Sequence, residues 1–323
     1  MSTPSNSHTV DAHAHHDEHL HEQGFWSKYV FSTDHIVIGI QYGVTSLLFL
    51  FLGFTLMMIM RWQLAYPGEP FPVMRFVLPI GVIGLLTTFI SGFKPSLGTT
   101  VGVMFIAMAG LVWYLATGEE RMPMGIMAPE YYNALGAMHG TIMIFLGVVP
   151  LGVGAFGNYV MPLQIGAPDM AFPKLNMMSY WIYFVGGVIM IISFFVPGGA
   201  ANSGWTSYPP LSEIATTGQT WWLVGMVFLI TSSLLGSVNF IVTILQLRVK
   251  GLSFMRLPFF VWAQFVTSFL LLLAMPPLEV AGILQLLDRV AGTNFFLPSG
   301  LVISGEKLMN AGGGTPLLWQ HLF

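Results

Sequence analysis

From Ile36 onward the chain is a nearly continuous series of apolar runs, broken by short polar or glycine- and proline-rich stretches. About 20 consecutive apolar residues suffice to cross a bilayer as a helix. Runs of that kind lie at 36–60, 76–93, 97–116, 134–161, 178–197, 221–247 and 257–285, and an eighth begins at Pro316 and runs to Phe323. A membrane barrel would instead show short alternating strands. Gly152, Gly154, Pro150, Pro276 and Pro277 fall inside these runs without demoting them, because neighbouring helices satisfy backbone groups freed in a membrane bundle. The pattern predicts an all-α polytopic transmembrane bundle of seven complete spans and the start of an eighth.

Residues 1–27 form a polar tail of a different character. Its stretch HTVDAHAHHDEHLHEQG carries His8, His13, His15, His16, His19 and His21 among acids. It has no basic region followed by an apolar one, so it is not a secretory signal. Its composition reads as a solvated, disordered segment; weak binding of Cu²⁺, Ni²⁺ or Zn²⁺ by clustered imidazoles is the alternative.

Composition sharpens the class. Apolar residues make up 54% and charged residues 8% of the chain, with mean hydropathy +0.73. Soluble domains carry about 25% charged residues, so a soluble enzyme is excluded. Lys and Arg together number 11, too few for a nucleic-acid partner. There are no cysteines, which removes disulfides, iron–sulfur clusters, thiolate copper sites and covalent haem attachment. With a cytoplasmic amino terminus, Lys28, Lys94, Lys174, Arg248, Lys250 and Arg256 share that side. Arg61, Arg75, Arg121, Arg289 and Lys307 share the other, a slight positive-inside bias.

Polar groups inside a bilayer are costly and therefore mark candidate function. His139 lies early in the fourth span, with Gly136 at i−3, Met143 at i+4 and Gly147 at i+8. That face presents an imidazole beside small residues, with room for a bulky planar group. Such a histidine either ligates haem or hydrogen-bonds a neighbouring helix. Asp169 follows the span, flanked by Asn158, Gln164 and Asn176. It reads either as a proton-collecting carboxylate or as a solvated loop residue. Ser232, Ser233 and Asn239 either line a wet path or bond between helices. Arg61 closes the first span and either snorkels to the headgroups or pairs with a cofactor carboxylate. Trp205 and Tyr208, in GWTSYPPLS, fit an interfacial aromatic belt equally well. Glu279 is a carboxylate inside the seventh span with no evident partner in the sequence.

Together the segments STDH, MHGT, GNYVMPLQIGAPDMAFPKLN, SGWTSYPPLS, SSLLGSVNFIVTI, LPFFVWA, LLDRVAGTNFF and GGGTPLLWQHLF resemble subunit I of the haem–copper oxidases, from about Lys28 to Phe323. The resemblance implies a respiratory terminal oxidase that reduces O₂ to water and pumps protons. His139 then matches an axial ligand of the low-spin haem, and Arg61 the arginine near that haem's periphery, as in a-type enzymes. Trp205 and Tyr208 match the segment near the haem propionates. Asp169 matches the mouth of the D-type proton pathway, with Asn158 and Asn176 as its amide gate and Ser232, Ser233 and Asn239 higher in the path. These residues favour an A-type oxidase over a nitric oxide reductase.

The implied partners are oxidase subunits II and III, the remainder of subunit I, cytochrome c or quinol as electron donor, and membrane lipid. The implied location is a bacterial inner membrane. The chain departs from the family in an extra helix pair at about 76–116 and in Glu279, for which a role in proton exit is open. It also contains none of the ligands for copper or the high-spin haem, since His321 is the only histidine after His139 and matches a non-ligand. The sequence therefore reads as the amino-terminal part of a longer subunit. The readings from other classes are an ion or solute transporter and a non-catalytic structural subunit.

Overall fold

The computed structural model describes residues 24–303, 305–307 and 312–323. The histidine cluster of the tail lies outside them. The chain divides into Met1–Ser32 and Thr33–Phe323. In the first unit, the described residues form a short π-helix, Trp26–Val30.

The second unit is a helical bundle. Seven helices are long and apolar enough to span a membrane. They are α1 (His35–Ala65), α2 (Val73–Ile90), α3 (Leu97–Leu115), α4 (Pro129–Ile165), α5 (Pro173–Phe195), α6 (Thr217–Gln246) and α7 (Phe259–Ala291). A short helix, α8 (Pro316–Leu322), follows a two-residue hairpin of β1 (Val302–Ile303) with β2 (Glu306–Lys307). The observed spans agree with the apolar runs, extended by a few residues where polar ends continue the helix. At the start of α1, Asp34 adds a cap: its Oδ1 accepts from the backbone amides of Ile36 (2.7 Å) and Val37 (3.2 Å).

Helix α1 is the hub of the unit, packing against α3, α4 and α5. Leu52, Leu56, Leu135, Met138 and Leu146 are fully buried there. Helices α5, α6 and α7 form a neighbouring row, and α2 pairs with α3. Lipid is as apolar as leucine, so helix association depends on close packing of small residues. At the α5–α6 crossing, a Cβ on Gly225 would lie 3.0 Å from the Gly186 carbonyl and one on Gly186 3.1 Å from that of Gly225. Gly225→Leu is expected to push these helices apart and to destabilise the bundle by about 1–3 kcal/mol. A lowered thermal denaturation midpoint in detergent checks this.

Helix α4 is irregular. It begins as an α-helix over Pro129–Thr141, passes through π-helical stretches at Ile142–Val148 and Pro150–Ala155, and resumes as an α-helix over Phe156–Ile165. Pro150 has no amide hydrogen to donate and its ring crowds the preceding turn, and widened turns relieve such crowding. Across these widened turns His139, Met143 and Gly147 still all meet α1, and the Gly53 carbonyl lies 2.8 Å from His139 Nδ1. Met143 faces Gly53 of α1, and Gly147 lies against Leu50.

Candidate functional site

His139 sits in the last α-helical turn before the first π-stretch of α4. Its Nδ1 lies 2.8 Å from the carbonyl oxygen of Gly53 on α1. A carbonyl only accepts, so Nδ1 carries the proton and the Nε2 lone pair of the neutral ring is left available. That is the arrangement of a metal-ligating histidine, fixed in tautomer and orientation by its other nitrogen. The approach of α1 is close enough that a Cβ on Gly53 would lie 2.7 Å from the sulfur of Met143.

Around the imidazole, two glycines of α4 mark tight contacts. A Cβ on Gly136 would meet Met60 at 3.3 Å, and one on Gly140 would meet the Trp205 ring at 3.1 Å. The structure thus brings Trp205 to the turn that bears His139. Neither Tyr208 nor Arg61 hydrogen-bonds to that turn. Tyr208 is 40% exposed. Arg61 is exposed and has no hydrogen-bond partner among the described residues. It stands eight residues beyond Gly53, about 12 Å along the α1 axis. His139, so oriented, fits the role of an axial ligand to haem iron.

The second group of candidates lies toward the opposite end of α4. Asp169 is half-buried in the α4–α5 loop, and its Oδ1 accepts from the Met170 amide (2.7 Å). Asn239 pins this loop. Its Oδ1 accepts from the Phe172 amide (2.9 Å) and its Nδ2 donates to the Phe172 carbonyl (3.2 Å). Thr243 helps by accepting from the Ala171 amide (2.9 Å). Asn239 therefore holds the loop in place through both ends of its amide.

Asn158 and Asn176 are buried, and each keeps an unpartnered atom. Asn158 Nδ2 donates to the Gly154 carbonyl (2.7 Å) and its own carbonyl meets His35 Nδ1 (2.8 Å), while Oδ1 has no partner. Asn176 Nδ2 likewise has none. A buried acceptor and a buried donor left over cost free energy unless water satisfies them.

From Asn176 a line of hydroxyls continues. Ser179 Oγ donates to the Asn176 carbonyl (2.8 Å), Tyr42 OH lies 3.1 Å from Ser179 Oγ, and Ser232 Oγ donates to the Ser179 carbonyl (2.6 Å). With its proton directed to Asn176, Ser179 Oγ accepts from Tyr42. Tyr42, Asn158, Ser179, Ser232, Ser233 and Ser237 all border a cavity of about 50 Å³, room for one or two water molecules. Tyr42 and Ser179 were not legible as site residues: each is one hydroxyl within an apolar run, and only the packing of α1, α5 and α6 brings them together.

Two further carboxylates differ from expectation or extend it. Glu279 does have a partner, because Thr231 on α6 donates to its Oε1 at 2.6 Å. Glu213, in the loop between α5 and α6, has no hydrogen bond of good geometry to either carboxylate oxygen. Burial pushes its carboxyl up from 4.5 to about 8, and the neighbouring Asp288 adds to the rise. Arg289 and the nearby Gln285 amide draw it part of the way back.

The loop itself is clamped from α7. Arg289 donates to the carbonyls of Ser212, Glu213, Ala215 and Thr216, and Gln285 Nε2 donates to the Ser207 carbonyl (2.9 Å). A carboxyl raised on folding keeps its proton in the folded chain while the unfolded chain has lost it. Its contribution to stability is whole below pH 4.5 and declines as pH rises to about 8. Glu213→Gln is expected to flatten the denaturation midpoint over that window and to exceed the parent protein above it, as thermal scans across pH will show.

The sequence matches the family described as "Cytochrome C and Quinol oxidase polypeptide I" over residues 37–323. It is 38% identical over 305 residues to a Synechocystis protein named cytochrome c oxidase subunit 1, covering 94% of this chain and 43% of the relative. It is 36% identical over 311 residues to an alternative cytochrome c oxidase subunit 1 of Bradyrhizobium diazoefficiens, covering 95% and 43%. With cytochrome c oxidase subunit 1 of Cereibacter sphaeroides it shares 36% over 318 residues, covering 97% and 49%. The chain thus spans less than half the length of these relatives. Seven membrane-length helices, an oriented imidazole between α1 and α4, and matching sequence along nearly all of the bundle agree: the chain is an integral membrane protein and belongs to the cytochrome c and quinol oxidase polypeptide I family.

Proposed function

We propose that this chain contributes the low-spin haem ligand and most of a D-type proton path to the catalytic subunit of a proton-pumping terminal oxidase. His139 would hold the haem iron through Nε2, and Arg61, Trp205 and Tyr208 would lie at the haem periphery and propionates. The haem, of a-type on the position of Arg61, supplies one-electron transfer when bound. The Gly53 carbonyl holds the imidazole by its Nδ1 proton. Ligands for copper and for the high-spin haem come from the remainder of the subunit. Subunits II and III complete the complex in a bacterial inner membrane, with cytochrome c or quinol as donor.

The observation that carries this reading is the buried polar line from Asn176 through Ser179 to Tyr42 and Ser232. Asp169 collects protons at the loop held by Asn239. Water satisfying Asn158 Oδ1 and Asn176 Nδ2 passes them to the Ser179–Tyr42–Ser232 hydroxyls and on to the cavity beside Ser233. An electrostatically continuous run of this kind inside a membrane is expensive unless it moves charge. Asn176→Leu is the direct test. Reconstituted into liposomes as the complete oxidase, it should keep its haem spectrum yet release fewer protons per O₂ reduced. An unchanged proton yield would remove Asn176 from the path and leave the line without its function.

A further inference from the structure

The α2–α3 pair packs on α1 through α3, and a long cavity remains beside α3. It holds about 450 Å³ and is walled by Leu48 of α1, by Met104 and Leu111 of α3 and by Phe184 and Val188 of α5. Along α3 it runs from Met104 to Tyr114, about 15 Å of helix. Its two wall hydroxyls are already engaged, Thr45 with the Tyr180 hydroxyl at 3.0 Å and Tyr114 donating to the Phe194 carbonyl at 3.3 Å.

A second cavity, of about 600 Å³, adjoins the first and shares Tyr114 and Phe195 as walls. Those two rings stack at 4.3 Å where the cavities meet. The second cavity carries more polar groups than the first. Arg121 lies with its guanidinium 3.8 Å from the Tyr114 ring centroid. Its Nη1 is buried without a hydrogen-bond partner, and so is Oδ1 of Asn202 on the same cavity wall. Glu119, Glu120 and Glu130 line the cavity and are exposed.

Two cavities that meet at a stacked ring pair, the one apolar and the other bearing a guanidinium, suit an amphiphile. The unpartnered guanidinium N–H asks for an anionic oxygen. The three carboxylates around it would repel a ligand of net negative charge and attract an ammonium. We propose that this pair of cavities binds one zwitterionic phospholipid, a phosphatidylethanolamine. Its phosphate meets Arg121, its ammonium the glutamates, and one acyl chain enters the apolar cavity between α1, α3 and α5. The lipid thereby fills the gap between the α2–α3 pair and the bundle.

The complete oxidase, exchanged into vesicles holding equal phosphatidylethanolamine and phosphatidylglycerol, then stripped with detergent and weighed intact by mass spectrometry, tests this. One phosphatidylethanolamine per chain should survive stripping. Arg121→Ala should lower that occupancy about 10-fold, the worth of one charge-assisted hydrogen bond. Gly110→Leu should also expel the lipid. Gly110 lines the apolar cavity, a Cβ there meets nothing within 4 Å, and leucine favours the helix. An unaltered haem spectrum in both variants shows that they fold.

The chain-free head, glycerophosphoethanolamine, should compete only weakly. Equal retention of phosphatidylglycerol, or equal competition by the chain-free head, would overturn the proposal. So would loss of all lipid from the parent protein, retention of a quinone in its place, or full occupancy in both variants.

Discussion

His139→Ala removes the low-spin haem absorbance from the complete oxidase and brings O₂ reduction down to the assay background. The imidazole is held with its Nε2 lone pair free, and alanine offers no lone pair in its place. On the same stretch of α4, Gly136 packs against Met60 and Gly140 against Trp205. A purely structural histidine would behave differently, since alanine would then cost stability without touching the spectrum. The optical difference spectrum separates these outcomes before any activity is measured. A milder variant tests the orienting contact. Gly53→Leu puts its Cβ 2.7 Å from the Met143 sulfur, and with Met143 swung aside the rest of the leucine still wedges α1 from α4. The Nδ1 hydrogen bond then stretches, and loss of such support costs about 10–100-fold in metal affinity or activity. Retention of the low-spin haem signal in His139→Ala would defeat the assignment.

Asp169→Asn is expected to abolish proton pumping and to slow turnover by about 10²-fold, at the lower end of what a positioned proton-transfer group supplies. The amide preserves shape and can still accept from the Met170 amide, so the loop should hold. Asn239 and Thr243 continue to anchor it through the backbone of Ala171 and Phe172. What the asparagine loses is the capacity to bind and release a proton. Haem absorbance should therefore stay intact while the rate of proton uptake from the Asp169 side collapses. The measurement is external pH change per O₂ consumed in liposomes. A variant that pumps normally would place proton entry elsewhere. Asn239→Leu gives the contrasting result, because it releases the Phe172 backbone and so lowers stability together with pumping.

Much of the fold was readable along the chain, and the reason lies in the solvent. In a bilayer each span satisfies its own backbone hydrogen bonds, so length and apolarity suffice to locate α1 to α7. His139 and Asp169 stood out for a related reason, as polar groups whose cost inside or beside an apolar run demands an explanation. Their surroundings were not readable. The π-helical widening of α4 at Ile142–Val148 and Pro150–Ala155 leaves no periodic signal along the chain. The free Nε2 of that ring follows from a carbonyl 86 residues away on another helix. Glu279 looked unpartnered until α6 placed Thr231 against it.

The same division explains the proton line and the lipid cavities. Serines and tyrosines in apolar spans carry no periodic signal, and bonds between helices or a wet path would use the same residue types. The choice falls to packing, which sets Tyr42 against Ser179 across 137 positions of chain and leaves amide atoms of Asn158 and Asn176 unpartnered. Composition and run length established the membrane bundle because burial in lipid is a local property of each helix. The ligand geometry, the hydroxyl chain and the space between α3 and the bundle are relations between helices, and only their mutual packing fixes them.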